Sequence, residues 1–396
     1  MTRRVLVFEP DAEGHSQEWL HHLIEFAAAD RTRPAISIAA PPSICRALAL
    51  ACPAEILGRV ELRPLSEREL GWCTDRRLSV AAFARWWTMR RHLRDSGADR
   101  GFFLSIDLLA LPLALGLGAG GRSLSGILFR PSVHYGSFGS HHRGLGERLR
   151  DLRKTILYRL MLRNPALGRV LSLDPFFPAH AAAYANGHKV EPLPDPAHPA
   201  VAAAAGSDNG MLPRDRIGFL LFGYLTERKG PLVVLDALER LPPLVAGRVA
   251  VLMAGRVDPA LRARIEERQR RLASLRPELW LAVDDRRLGD QELEGLVRRS
   301  DVVLAPYQRF VGSSGVLLWA ARAGRPVLAQ QYGLVGHLTR EHRLGLAVDS
   351  SDPAAVAAAI TQMAQLGPST FIDLASATAF AASQTPQRFA ASVLAA

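Results

Sequence analysis

Short apolar runs alternate along this chain with longer stretches in which apolar residues return every three or four positions. Val5-Leu6-Val7-Phe8 is the first such run, and an amphipathic stretch at 17–29 follows it. The pairing returns at 35–39 with 44–51 and at 102–106 with 108–117, and again as a run at 124–129, a long basic helical pattern at 147–163 and a run at 167–173. Runs that are apolar throughout, and not in alternation, predict strands buried on both faces, so the pattern predicts parallel sheets covered by helices, an α/β chain.

The alternation then restarts. Pro194, Pro196 and Pro199 lead into a small-residue run at 200–210, the best linker in the sequence. Beyond it, runs at 217–222, 249–254, 279–283, 302–305 and 345–349 read as strands, and stretches at 231–240, 259–273, 290–298 and 352–365 read as helices. Two Rossmann-like halves follow, since the 396 residues exceed one ordinary domain of roughly 100–200 residues. Their predicted extents are 1–205 and 206–375, with a last helical segment at 376–396.

Candidate chemistry sits in the loops after the strands, where open α/β sheets collect ligands. After the first strand comes Glu9-Pro10-Asp11-Ala12-Glu13-Gly14-His15-Ser16, which has a glycine but no GxGxxG, so a dinucleotide site has no support. The run at 124–129 delivers Arg130-Pro131-Ser132-Val133-His134-Tyr135-Gly136 to a loop, and 137–144, rich in glycine and histidine, is a candidate lid or acceptor loop. His141-His142 lacks the spaced partners of a metal site. In the second half, Val311-Gly312-Ser313-Ser314-Gly315 precedes an apolar helical pattern. Its backbone N–H groups and two hydroxyls suit either a phosphate seat or an ordinary helix cap.

Two stretches resemble a known family. Gly223-Tyr224-Leu225-Thr226-Glu227-Arg228-Lys229-Gly230 resembles the GRLxxxKG motif of GT-B-fold retaining glycosyltransferases of the family 4, group 1 type. Residues 302–336 resemble their sugar-nucleotide signature: strand, proline, variable loop, glycine-rich turn, LLxA helix, GxPV strand. The resemblance implies two Rossmann-like domains facing an interdomain cleft, and a last helix crossing back to the first domain. It implies transfer of a sugar from a nucleotide-diphosphate donor to an acceptor hydroxyl with retention, a hexosyltransferase-type activity needing no cofactor and no metal. Lys229 takes the place of the diphosphate-binding lysine, while Tyr224 replaces the motif's arginine. Gly14, His15, Gly223, Gly255, Asp284, Gly312, Ser313, Ser314 and Gly315 fall where the family meets its donor, Asp284 near the base. His134, with Arg130 as the alternative, falls where a histidine lies beside the transferred sugar. The family's two glutamates, eight positions apart, are replaced here by Val311 and Trp319. The fold inference survives that loss, and two alternatives arise: a GT-B-shaped binding or regulatory protein, or a GT-B sugar-nucleotide epimerase.

Composition alters this picture in three ways. Three cysteines, Cys45, Cys52 and Cys73, show no ligand spacing and form no disulfide framework, which suits a reducing cytoplasmic setting. Arg3-Arg4 before a short apolar strand and Asp11 predicts no secretory leader, and the apolar stretch 101–120 is broken by Asp107 and Pro112, so no membrane span is expected. The net charge of +11 leans to the first half, where 26 Lys and Arg up to residue 205 meet 19 Asp and Glu. Within it, 78–94 interleaves Val80, Phe83, Trp86, Trp87 and Met89 with Arg85, Arg90, Arg91 and Arg94. Such a helix lies on anionic lipid, stacks on nucleic acid, or presents its apolar side to a core and a basic back to water. No nucleic-acid partner is expected; peripheral contact with an anionic membrane stays open.

Overall fold

The computed structural model describes residues 4–12, 16–129, 131–138, 145–196 and 211–396. Its apolar runs become the inner strands of two parallel sheets, as full burial on both faces requires. The first sheet has seven strands: β1 (Arg4–Phe8), β2 (Ala35–Ala40), β3 (Val60–Pro64), β4 (Arg100–Phe103), β5 (Ser123–Leu128), β6 (Leu167–Ser172) and β7 (Val190–Pro192). Their order is β3-β2-β1-β4-β5-β6-β7, every pair parallel. The second has six: β8 (Ile217–Phe222), β9 (Val249–Ala254), β10 (Trp280–Asp284), β11 (Val302–Ala305), β12 (Val327–Gln330) and β13 (Gly345–Val348), ordered β10-β9-β8-β11-β12-β13 and again parallel.

Two compact units result. The first takes residues 1–134, 142–196 and 385–396, the second 135–141 and 197–384. The small-residue stretch expected as the linker, 200–210, lies outside the described residues. The helix Leu374–Ser383 stays with the second unit, and only the helix Pro386–Ala395 belongs to the first. That last helix starts on a Thr385 cap, whose hydroxyl accepts from the Arg388 N–H at 3.2 Å, with Pro386 at its first position. It buries Phe389, Ala390, Val393 and Leu394 in a core cluster on one face of the first sheet. Phe389 meets Trp19 at 5.0 Å between ring centroids, and Trp19 stacks on Phe129 at 5.2 Å.

The other face of the first sheet is covered by the helices Glu67–Cys73, Leu78–Asp95, Ala110–Ala114 and Leu145–Leu162. Here the helix Leu78–Asp95 departs from the core-face reading of its aromatic side. It turns Ala81, Ala82, Ala84, Met89 and Leu93 inward and leaves Phe83 and Trp87 exposed. Small side chains let a helix lie close on a sheet, so the alanines face it, and of the aromatics only Trp86 packs against the core. Arg85 is buried with them, its guanidinium held bidentate by Asp11 at 2.7 and 2.9 Å and by the Cys73 carbonyl at 2.9 Å. In the second unit, Phe138 stacks on His337 with ring centroids 4.3 Å apart.

Candidate functional site

In the second sheet the chain runs outward from β8 through β9 to β10, then returns to the other side at β11. The strand order therefore reverses between β8 and β11, the position where open α/β sheets leave a crevice at their carboxyl ends. Two loops meet there: Gly223–Gly230 after β8, and Pro306–Gly315 after β11. They touch because Gly230 has φ +77° and no side chain; a Cβ would stand 2.2 Å from the Pro306 carbonyl oxygen. Behind them Gly223 and Gly255 abut, a Cβ on Gly255 falling 2.1 Å from the Gly223 oxygen.

Lys229 occupies this junction, half-buried. Its ammonium donates to the Phe222 carbonyl at 3.1 Å and to the Tyr307 phenol oxygen at 3.1 Å. The same phenol shares a hydrogen bond of 2.5 Å with the Ser314 hydroxyl. Two residues singled out in separate motifs, Lys229 and Ser314, are thus joined through a third that the sequence did not single out. Tyr307 is itself fixed, since its backbone oxygen accepts from the Ser350 hydroxyl at 2.7 Å and from the Tyr332 hydroxyl at 3.2 Å. Among the described residues, no carboxylate pairs with Lys229. Its charge is met only by neutral oxygens and by the faces of the Phe222 and Tyr307 rings, 5.7 and 5.1 Å away.

The remaining expected residues fall into three groups. Gly223, Gly255 and Asp284 end three neighbouring strands, and the Gly255 N–H donates to the Asp284 carbonyl at 2.9 Å. Asp284 is the last residue of β10; its Oδ1 accepts from Arg286 at 2.9 Å, while its Oδ2 is buried and has no hydrogen-bond partner among the described residues. Ser313 is half-buried and Gly315 exposed, and neither Gly312 nor Gly315 is at a crowded backbone position. His134 is not presented at a loop surface: it is buried, with Nδ1 2.8 Å from the Pro131 carbonyl, Nε2 2.8 Å from Asp174, and Phe177 and His180 beside the ring. Both ring nitrogens are therefore engaged inside the first unit. Gly14, His15 and Arg130 lie outside the described residues.

Val311 and Trp319, at the positions where the resemblance leads one to expect glutamates, contact neighbouring elements. Trp319 stands edge-on to Phe222 at 6.4 Å, behind the carbonyl that Lys229 holds. The Val311 carbonyl accepts from the Leu334 N–H at 3.0 Å, joining the loop to the following helix Gly333–Glu341.

Glu9, just past β1, is 3% exposed. Burial pushes its carboxyl up to about 7, against a hydrogen bond from the Asp11 N–H at 2.8 Å that favours the carboxylate. Among the described residues no group of three or more His, Cys, Asp or Glu side chains is placed to hold a metal ion, and no helix is long and apolar enough to cross a membrane.

Comparison with known proteins agrees with this arrangement. No curated protein sequence matches the chain. Among solved structures it is similar to WaaG, a glycosyltransferase involved in lipopolysaccharide biosynthesis, with TM-score 0.64 and 16% identity over 98% of each chain. It is similar to Anabaena Alr3699/HepE in complex with UDP and glucose, with TM-score 0.58 and 16% identity over 99% of this chain and 97% of that one. Sucrose-phosphate synthase from Thermosynechococcus elongatus gives TM-score 0.66 and 16% identity over 99% and 96%. At these identities the likeness is one of fold. Residues 216–365 match the family model of the group 1 glycosyl transferases, and the chain has the two Rossmann-like domains of the GT-B fold.

Proposed function

We propose that the protein transfers a sugar from a nucleoside-diphosphate donor to an acceptor hydroxyl, and that the donor's diphosphate binds between Lys229 and the 312–315 loop. The observation that carries this reading is the Lys229 ammonium at the strand-order reversal, hydrogen-bonded to neutral oxygens with no carboxylate paired to it among the described residues. A cation so placed attracts an anion that brings its own charge. The group 1 match over 216–365 and the UDP held by the structurally similar HepE favour a nucleotide as that anion.

Cleavage of the donor develops negative charge on the leaving phosphate. Lys229, the Tyr307 phenol and the Ser313 and Ser314 hydroxyls are the donors that would stabilise it, already positioned before the reaction and so with little reorganisation to undergo. A hexosyl donor and retention of configuration rest on the sequence resemblance alone. A second reading, donor binding without turnover, is favoured by the apolar residues at 311 and 319, which leave no acid at either position.

A panel of UDP, GDP and dTDP sugars tests both. Slow donor hydrolysis by the purified protein, detected as free nucleoside diphosphate, supports transfer, whereas thermal stabilisation without turnover supports the binder. Lys229→Ala removes a charge-assisted contact worth about 1.5–3 kcal/mol, so nucleotide affinity should fall roughly tenfold to a hundredfold. A variant stabilised by all three diphosphates as strongly as the parent sinks the assignment.

A further inference from the structure

Within the first unit, exposed large apolar side chains concentrate on one layer. The helices that cover the Phe8 and Phe103 side of the sheet carry Trp72 and Trp87, exposed 58% and 56%, and Leu115, exposed 63%. On the helix Leu145–Leu162, Leu149, Leu152, Ile156 and Leu160 are exposed by between 41% and 69%. Spacings of three and four put those four on one stripe of that helix. Its inward side is satisfied separately by Tyr158, Met161 and Leu162 in the core, so the stripe is surplus to folding. Between the helices Glu67–Cys73 and Leu78–Asp95 lies an apolar groove of about 820 Å³, with Trp72, Phe83 and Trp87 in its wall. Large apolar side chains gathered in exposed clusters mark interaction surfaces, whereas singly scattered ones do not.

The charges on the same layer identify the partner's chemistry. Residues 145–163 hold six Lys and Arg against two acids, and residues 67–95 hold seven Arg against four acids; of these arginines, Arg85 is buried on Asp11 and Arg91 pairs with Glu69. The cations do not form a separate rim. Arg68 lies over the Trp72 ring at 5.8 Å and Arg91 over the Trp87 ring at 5.7 Å, and exposed Arg153 and Arg159 interrupt the leucine stripe. Arginine and tryptophan are also enriched in protein interfaces, so it is the net positive charge of both stretches, and not the interleaving alone, that favours an anionic surface. A lipid headgroup layer suits the pattern: acyl chains take the leucines, the interfacial zone takes the indoles, and anionic phosphates take the guanidiniums.

We propose that this helical layer of the first unit docks the protein on an anionic lipid bilayer. The docking is peripheral: the stripe enters the headgroup boundary in the plane of the membrane, and each nearby Arg or Lys adds roughly 1 kcal/mol of attraction that salt screens. It does not rest on the reading of the nucleotide site.

Co-sedimentation of the full chain with vesicles tests it. Vesicles of phosphatidylcholine mixed with phosphatidylglycerol should carry the protein down, phosphatidylcholine alone should not, and high salt should release it. The variant Leu152→Ser, Ile156→Ser, Leu160→Ser alters only exposed positions; it should keep the parent's melting temperature and bind anionic vesicles at least tenfold more weakly. Trp87→Ser, on a separate helix, should weaken binding in the same direction. The proposal is overturned if neither vesicle binds the protein, if both bind it equally, or if the triple variant binds like the parent. It is equally overturned if the parent is a stable dimer in solution, fails to bind vesicles, and becomes monomeric in the triple variant, since the stripe would then join two copies of the chain.

Discussion

Tyr307 shows how a residue can be invisible in sequence and central in structure. It follows Pro306 at the end of an apolar strand, where a tyrosine reads as core, and its ring is indeed buried. Only folding brings its hydroxyl to Lys229, 78 positions away, and to Ser314. His134 shows a different limit of the sequence. In the chain it reads as a loop histidine, but it is buried: the Pro131 carbonyl, three positions back, lies against its Nδ1, and Asp174, 40 positions on and brought near only by folding, lies against its Nε2. That the Lys229 and Ser314 loops carry motif patterns was legible; that Tyr307 links the two residues was not. Tyr307→Phe keeps the ring and its packing while deleting the phenol oxygen. We expect nucleotide affinity to fall by roughly 1 kcal/mol, a smaller loss than for Lys229→Ala, with the melting temperature of the free protein little changed. Isothermal titration with the nucleoside diphosphate measures the first and thermal denaturation of the free protein the second, and a Tyr307→Phe loss equal to that of Lys229→Ala would mean that the lysine depends on the phenol for its position.

At the scale of elements, the inner strands were readable because burial on both faces makes them apolar throughout. The edge strand β3 was not: Val60-Glu61-Leu62-Arg63-Pro64 alternates and ends in proline, as an edge tolerates, and gives no continuous run. The helix Leu78–Asp95 was legible as a helix, but which of its apolar residues face the sheet was not: Met89 and Trp86 pack on the core with the alanines, while Phe83 and Trp87 stay exposed. The end of β1 carries a pH dependence. Glu9 titrates near 7 when folded against 4.5 for the free side chain, so the folded state holds a proton that the unfolded chain releases first. Its contribution to stability is therefore complete below about pH 4.5 and is lost as pH rises toward 7, by about 3 kcal/mol over that window. Glu9→Gln keeps an acceptor for the Asp11 N–H and cannot ionise. Denaturant titrations between pH 5 and pH 8 should show the parent losing stability relative to the variant as pH rises; parallel curves would place the Glu9 proton elsewhere.

For the whole molecule, the two sheets and the restart of the pattern after residue 205 were legible, since each half repeats strand and helix. The assignment of the last segment was coarser: Leu374–Ser383 and Pro386–Ala395 belong to different units although only Gln384 and Thr385 part them. The first unit's core includes Phe389, Val393 and Leu394, so its stability depends on residues nearly two hundred positions beyond its other strands. Phe389→Ala should cost about 3–5 kcal/mol in that unit while leaving in place the nucleotide-dependent stabilisation that the proposed site would confer on the second unit. Two-transition calorimetry with and without nucleotide separates the effects; a mutation that abolished the nucleotide response would tie the units together energetically. The same discontinuity governs synthesis. A ribosome that has released the strands of the first sheet still holds back the helix that shields Trp19, so the nascent sheet must wait, partly uncovered, until the entire second sheet has been made. A late frameshift or a protease cut near residue 384 would then strand a chain with an intact nucleotide half and an unsealed partner, a form that cellular quality control is equipped to find.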